Sequence, residues 1–339
     1  MIARRATRAL AALLVLLSLA HGASAAELSP AQLVSPAEGA IDRGLRYLAG
    51  QQRDDGSMGV GYGRNVAVVG LSGMAFLASG STPGRGPYGE NINRCVDYLL
   101  DNTQAGGFIT VDGATSQGPM YGHGFATLML AEAYGMSPRA ELRDKLAAAI
   151  KLIVTTQNDE GGWRYQPRPV EADISVTICQ VMALRAARNA GLHVPTDTID
   201  RTVAYVRRCQ NADGGFGYMP NDSSSLFPRS AAGVVALYSA GVYEGNEVDR
   251  GLAYLDRQRL RVLRGRVAHY FYGHYYAAQA MYQAGGDRWQ QWYPAIRDEL
   301  IARQRPGGNW TYSIGPQYAT AMACIVLQTP NDMVPIFQR

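Results

Sequence analysis

Apolar positions return along this chain at helical spacing, in bouts that share a design. Ile41-Asp42-Arg43 runs on to Tyr47-Leu48, and Ile92-Asn93-Arg94 to Tyr98-Leu99. Ile199-Asp200-Arg201 leads in the same way to Tyr205-Val206, and Val248-Asp249-Arg250 to Tyr254-Leu255. Apolar residues at i, i+3 or i+4, and i+7 describe a helix with one buried face. A second, more apolar helix is expected after each of these, over residues 66–78, 125–134, 174–190, 230–240, 275–284 and 318–327. Small residues crowd these segments, and Gly80, Gly135, Gly191, Gly241 and Gly285 stand at their ends. A helix apolar on nearly every side is buried on nearly every side. The pattern therefore predicts outer, partly wetted helices alternating with inner, dry ones.

Between the two helices of each pair lies a repeated element: Gln, four residues on Gly, two further on an aromatic. Gln157-Gly161-Trp163, Gln210-Gly214-Phe216 and Gln304-Gly308-Trp310 fit it. Gln52-Gly56-Met58 and Asn102-Gly106-Phe108 are looser copies, and a degenerate one begins at Gln258, with Val262 and Arg264 in the Gly and aromatic places. The starts lie 46 to 55 residues apart, and six units fill the chain. A glycine there can end the helix in the left-handed conformation, the aromatic can pack in the joint, and the Gln amide can satisfy free backbone groups. Repetition at this period fixes the expected fold class: all-α, an (α/α)6 toroid of six helix pairs. Closure is favoured over an open row because a row needs polar caps at both ends.

The Gln-x-x-x-Gly-x-Trp elements at Gln157–Trp163 and Gln304–Trp310 are similar to the repeat of squalene-hopene cyclases, whose toroid is shared by protein prenyltransferase beta subunits. The resemblance covers nearly all of the chain. It implies an isoprenoid-type ligand and points to the start of the third inner helix. Such cyclases carry Asp-x-Asp-Asp-Thr there, the middle Asp being the proton donor. Counting back without a gap from Ala183-Leu184, Asp173 matches the first Asp, Ser175 the middle one, Val176 the third and Thr177 the Thr. The donor is then absent from its usual place. The prenyltransferases carry an Asp-x-Cys zinc pair in that position. Asp173-Ile174-Ser175 keeps the Asp but has Ser for Cys, and a hydroxyl is a poor Zn²⁺ ligand beside a thiolate. No metal and no cofactor is expected.

The first 25 residues change the reading of charge and of place. Arg4, Arg5 and Arg8, the apolar run 10–20 and Ala23-Ser24-Ala25 have the three parts of a cleavable signal peptide. The expected organisation is a signal over 1–25 and one toroid domain over 26–339, exported to the periplasm or beyond. Of 32 Lys and Arg against 28 Asp and Glu, three basic residues fall in the signal, so the remainder is close to neutral. With no basic run, no nucleic-acid partner is expected, while contact with a membrane surface after export stays open, as does the oligomeric state. Cys95, Cys179, Cys209 and Cys324 show no metal-type spacing, and the repeat register separates them, so free thiols are expected.

The candidate chemistry gathers at the starts of the inner helices. Tyr121-Gly122-His123 recurs as Tyr272-Gly273-His274 in units two and five, and Asp173 lies at the matching level of unit three. His123, Asp173 and His274 are the candidate catalytic residues, expected to point into one cavity. In a ring of six, units two and five face each other across roughly 16–20 Å, too far for the two histidines to share a metal ion. Asn65, Tyr121, Ser175, Thr177, Ser230, Tyr272 and Tyr318, with Tyr275 and Tyr276, are expected to line a polar-aromatic mouth above an apolar tube. Three function classes survive. One is a terpenoid-cyclase or prenyltransferase relative binding or converting a small apolar, isoprenoid-type ligand in a central cavity. Another is a secreted polysaccharide lyase or hydrolase on the same kind of toroid. The last is a non-catalytic scaffold or binding module. On protein recovered outside the cytoplasm, the N-terminus is expected near Ala26 or Glu27. An intact Met1 in its mass spectrum would contradict the signal.

Overall fold

A computed structural model describes residues 28–59, 61–111, 118–263 and 267–338, without the side chains of residues 62, 260, 262 and 263. The expected signal segment lies outside the described residues. After a short helical turn at Pro30–Val34, six helix pairs follow: α1 Glu38–Gln51 and α2 Val66–Ala78; α3 Gly89–Asp101 and α4 Pro119–Met136; α5 Ala140–Thr155 and α6 Ile174–Asn189; α7 Thr196–Arg208 and α8 Phe227–Ser239; α9 Asn246–Leu263 and α10 Tyr270–Ala284; α11 Gly286–Arg303 and α12 Pro316–Gln328.

The even-numbered helices are the inner layer. Each packs on the next, and α12 packs back on α2 and on α1, so the ring closes. Helix α2 buries every residue but Ala67, whereas α7 buries one stripe, Thr198, Ile199, Thr202, Tyr205 and Val206. This is the expected (α/α)6 toroid. Four inner helices begin earlier than their periodicity predicted, most of all α4 at Pro119 and α10 at Tyr270, so both Tyr-Gly-His triplets lie near helix starts. Gly135 falls inside α4 and does not end it.

The joints between units follow one plan. The Gln157 amide donates to Gly161 O at 3.0 Å, within its own turn, and to Thr198 O at 2.9 Å, in the first turn of the next outer helix. Gln210 does the same to Gly214 O and Glu247 O, at 3.0 and 2.8 Å. Gln304 reaches Gly308 O and Ala40 O, both at 2.8 Å, which ties the last unit to the first. The indole N–H of Trp163 binds Ile153 O at 2.7 Å, and that of Trp310 binds Leu300 O at 2.8 Å, satisfying carbonyls near the ends of their own outer helices.

The structure corrects the second copy of the repeat. Gly107, not Gly106, has the positive φ of the joint, +85° against +97° at Gly161 and +85° at Gly308. Thr103 and Ile109 pair across that turn as Gln210 and Phe216 do across theirs. The copy is therefore Thr103-Gly107-Ile109, with neither Gln nor aromatic. In the degenerate copy α9 runs on through Gln258 to Leu263, with position 262 inside the helix; Arg264 lies outside the described residues. All four cysteines are buried and free.

A Cβ on Gly107 would fall on the Ala148 carbonyl, while one on Gly106 would meet nothing within 4 Å. Gly107→Ala is therefore expected to lose about 2–4 kcal/mol, from strain at positive φ plus overpacking. Gly106→Ala should change stability by no more than about 0.5 kcal/mol. Urea denaturation of both variants decides the register; equal losses would refute it.

Candidate functional site

The inner helices all begin at one end of the ring, and the polar groups of that mouth are set by how those helices start. Asp173 is the extended N-cap of α6: its Oδ1 accepts the backbone N–H groups of Ser175 and Val176 at 2.8 and 3.0 Å. One oxygen is thus used as a cap. The other is not, and the Tyr218 hydroxyl lies 3.2 Å from Oδ2. Tyr218 is hydrogen-bonded in turn to the Tyr165 hydroxyl, and the Tyr165 ring lies 6.1 Å from that of Tyr121. From the other side, the Tyr272 hydroxyl donates to Ser175 O at 3.1 Å. The Arg164 guanidinium sits 5.2 Å over the Tyr165 ring and 5.7 Å over that of Tyr218, and pairs with Glu171 at 2.9 Å.

Asp173 is fully buried, and burial pushes its carboxyl up to about 6. The hydrogen bonds from Val176, Tyr218 and Ser175, with the Arg164 charge, hold it from rising further. Near neutral pH this group passes between acid and carboxylate inside an aromatic box. With the proton on Oδ2, the bond to Tyr218 reverses polarity, because Oδ1 is taken by two N–H donors.

Below the mouth the ring is filled, and the open apolar tube expected from sequence is corrected here. Tyr275 and Tyr276 are fully buried and reach inward from α10. The Tyr276 hydroxyl meets Cys179 Sγ at 3.3 Å on α6, and the Tyr275 ring lies 5.9 Å from Phe125 on α4. Tyr318 and Tyr312, 6.2 Å apart, add the wall from unit six. Cavities of about 120 and 50 Å³ lie at the opposite end of the ring.

The expected convergence of His123, Asp173 and His274 does not occur. His123 faces outward from α4: Nδ1 accepts the Ile109 N–H at 3.2 Å and Nε2 lies 3.3 Å from Ala149 O on α5. His274 also turns toward the outer layer, against Tyr270, Phe227 and Trp292, at 4.5, 5.4 and 5.9 Å. Thr177 Oγ1 accepts the Trp163 N–H at 3.1 Å and Ser230 Oγ the Phe216 N–H at 2.9 Å, as Thr320 does for Trp310 at 3.1 Å. His123 occupies the corresponding place in unit two. Asn65 caps α2 by accepting the Ala67 N–H at 2.9 Å. Of the candidates, Asp173, Tyr121, Ser175 and Tyr272 come together, and His123, His274, Thr177 and Ser230 serve the joints and the core.

Tyr165, Tyr218, Arg164 and Cys179 are site residues that the sequence reading does not name as such. The sequence carried a signal for two of them. A tyrosine stands two residues after the joint aromatic in three units, as Trp163-Arg164-Tyr165, Phe216-Gly217-Tyr218 and Trp310-Thr311-Tyr312. A recurrence in phase puts these side chains at the same level of the ring.

A family model of the prenyltransferase alpha-alpha toroid domain matches residues 70–267. Drimenyl diphosphate synthase of Streptantibioticus cattleyicolor is 31% identical over 113 residues, which span 33% of this chain and 20% of that protein. Among solved structures, cellobiose 2-epimerase from Bacillus thermoamylovorans superposes with a TM-score of 0.67 at 12% identity, over 87% of this chain and 98% of that one. A GH76 alpha-mannanase from Bacteroides thetaiotaomicron gives 0.61 at 10%, over 89% and 98%. A type II terpene cyclase from Scytonema, in complex with merosterolic acid A, gives 0.59 at 15%, over 88% and 98%. At these identities the structural likenesses establish the fold alone.

His123 and Asp173 give opposite pH dependences. Burial lowers His123 from 6.5 to about 4, so its contribution is complete above 6.5 and lost as pH falls through 4. Asp173, raised from 3.8 to about 6, makes stability decline as pH rises across that interval. His123→Leu is expected to cost about 1–3 kcal/mol at pH 7.5, by orphaning the Ile109 N–H. It should also remove a slope of about 1.4 kcal/mol per pH unit from the acid limb. Denaturant melts of this variant from pH 4 to 7.5 check both, and an unchanged acid limb would place His123 elsewhere.

Proposed function

Since the chain belongs to the prenyltransferase alpha-alpha toroid family, we propose that it takes an apolar, isoprenoid-type ligand at the N-terminal mouth of the ring, with Asp173 as the acid that acts on it. The observation that carries this reading is the Asp173 carboxyl, fully buried, touched at Oδ2 by Tyr218 and standing among the rings of Tyr121, Tyr165 and Tyr272. A carboxylic acid in such a place can give its proton to an alkene carbon. The electron-rich ring faces then stabilise the cation that forms. The Tyr218–Tyr165 pair leads from Oδ2 toward the rim beside Arg164 and offers a path by which the proton is restored. The relative named for drimenyl diphosphate and the terpene cyclase holding merosterolic acid A support the ligand class. Tyr275 and Tyr276 fill the ring beneath, which supports a ligand held at the mouth rather than threaded through the centre. Export after removal of residues 1–25, and contact of the rim with a membrane surface, belong to the same proposal.

The sugar-enzyme neighbours make a hydrolase the competing reading, and the carboxylates speak against it. A glycosidase needs two facing acids about 5–10 Å apart. Glu171, the near companion of Asp173, is mostly exposed and paired with Arg164.

Titration of the purified protein with geranylgeraniol and with cellobiose, followed by tyrosine fluorescence and product analysis, tests the proposal. The isoprenoid should bind and the disaccharide should not. Asp173→Asn keeps a capping oxygen, so its melting temperature should stay within a few degrees of wild type. Any conversion should fall tenfold or more, about 1.4 kcal/mol. Binding of cellobiose alone, or an Asp173→Asn variant as active as wild type, would overturn the reading.

A further inference from the structure

The opposite end of the ring is closed by the chain itself. After α12 the backbone turns at Asp332, with φ +57°, and the short helical segment Pro335–Phe337 lies against α6. Phe337 is buried, its ring 6.2 Å from that of Tyr275, the residue that fills the ring from within. The segment is held by few polar contacts. Gln283 donates to Gln338 O at 2.5 Å, Gln338 donates to Asp332 O at 2.8 Å, and the Ile336 N–H donates to the Glu132 carboxylate on α4.

Glu132 is the unusual member of this group. It is 4% exposed, and its Oε1 has no hydrogen-bond partner. It lies on the wall of the 120 Å³ cavity together with Ala186, Asn189 and Pro335. Among the described residues no cationic side chain compensates it. Arg185 on α6 is turned to the Tyr243 hydroxyl at 3.0 Å. From α10 it faces Tyr275, whose hydroxyl is itself pushed up in part by Glu132. The strap segment 335–337 offers one backbone N–H and no charge, and Asp332 at its base is exposed. An ionised carboxylate in such a place has one donor where it needs several.

We propose that Pro335–Phe337 is a gate over the lower mouth of the toroid, shut while Glu132 carries its proton and released when that proton leaves. Release would hydrate Glu132 and free the seat of Phe337. The existing cavity would then join the space beneath Tyr275, opening a second way into the ring. Burial lifts the Glu132 carboxyl to about 8, well above its usual 4.5. With the raised value in the closed state, the open state gains from pH about 4.5 upward and levels off above about 8. The gate is thus firmly shut in acid and looser in mild alkali. This inference stands apart from the ligand proposed for the upper mouth, and its test needs no ligand.

Hydrogen exchange of the amides of residues 333–338 in the full protein, divided at each pH by the exchange of a synthetic 330–338 peptide, reports opening free of the intrinsic pH effect. Relative opening should rise at least tenfold from pH 5 to pH 8.5. Glu132→Gln should abolish that rise while keeping the strap protected at both values, and Phe337→Ala should weaken protection at both. Should Glu132→Gln fail to fold, the wild-type series and Phe337→Ala still decide. Equal relative opening at pH 5 and 8.5, or a wild-type pH dependence persisting in Glu132→Gln, would overturn the gate.

Discussion

Six helix pairs become a ring because one amide serves two units at once. The Gln side chain at each well-formed joint donates to the carbonyl of its own turn and to a first-turn carbonyl of the next outer helix. The acceptor in the turn would lose its partner without the amide, whereas the helix carbonyl keeps a donor within its own helix, so the second bond acts as a tie between units. The arrangement works only where the chain passes close enough, which is why the glycine four residues on has positive φ and no room for a side chain. At the closing joint, a Cβ on Gly308 would stand 2.7 Å from Arg43 O. The bond from Gln304 to Ala40 spans nearly the whole sequence, and through it a row of pairs acquires an inside.

The same joints decide where chemistry can be placed. The aromatic of each joint is anchored through its backbone N–H to a hydroxyl in the first turn of the following inner helix: Thr177, Ser230 or Thr320. That anchor holds the next residues of the turn at the upper mouth, and so Tyr165 and Tyr218 arrive there beside Asp173. In unit two His123 performs the hydroxyl's task, which explains why a histidine at a promising level of the ring looks outward. In unit five the outer helix runs on through Gln258 to Leu263, past the place of the glycine in the other joints. It is also the unit whose inner helix supplies Tyr272, Tyr275 and Tyr276 to the interior, so the irregular member of the repeat furnishes most of the filling.

What the sequence disclosed follows this division. Periodicity and the recurring Gln-Gly-aromatic element were enough for the fold class, the closure and the free cysteines, because each depends on backbone spacing repeated many times. The second joint was misread by one residue, since Thr103 and Ile109 offer neither amide nor ring and only the backbone at Gly107 marks the turn. Site residues were harder. Asp173, Tyr121, Ser175 and Tyr272 could be found from their level along the inner helices. The direction of a side chain around a helix could not, because a residue one step from the lumen faces the outer layer instead, as His123 and His274 do. Tyr165 and Tyr218 lay in loops, outside the helical pattern, and only their recurrence two residues after the joint aromatic marked them.

The two buried acids show how donor count turns one kind of residue to different uses. Asp173 and Glu132 lie near opposite ends of the inner layer, and burial raises both. Asp173 receives two backbone N–H groups and a tyrosine hydroxyl, and these hold its carboxyl near 6. Glu132 receives one N–H and rises to about 8. The first is therefore divided between acid and base close to neutrality, the condition that proton transfer asks of a catalytic group. The second keeps its proton through the neutral range and gives it up only when its surroundings become wetter or more alkaline. A group of that kind is poor at turning over protons and well suited to sensing whether the segment above it is in place. Helix α6 touches both ends of this arrangement, since Asp173 caps its start and the strap lies against it. A single rigid element thus stands between the acid at the upper mouth and the closure at the lower one.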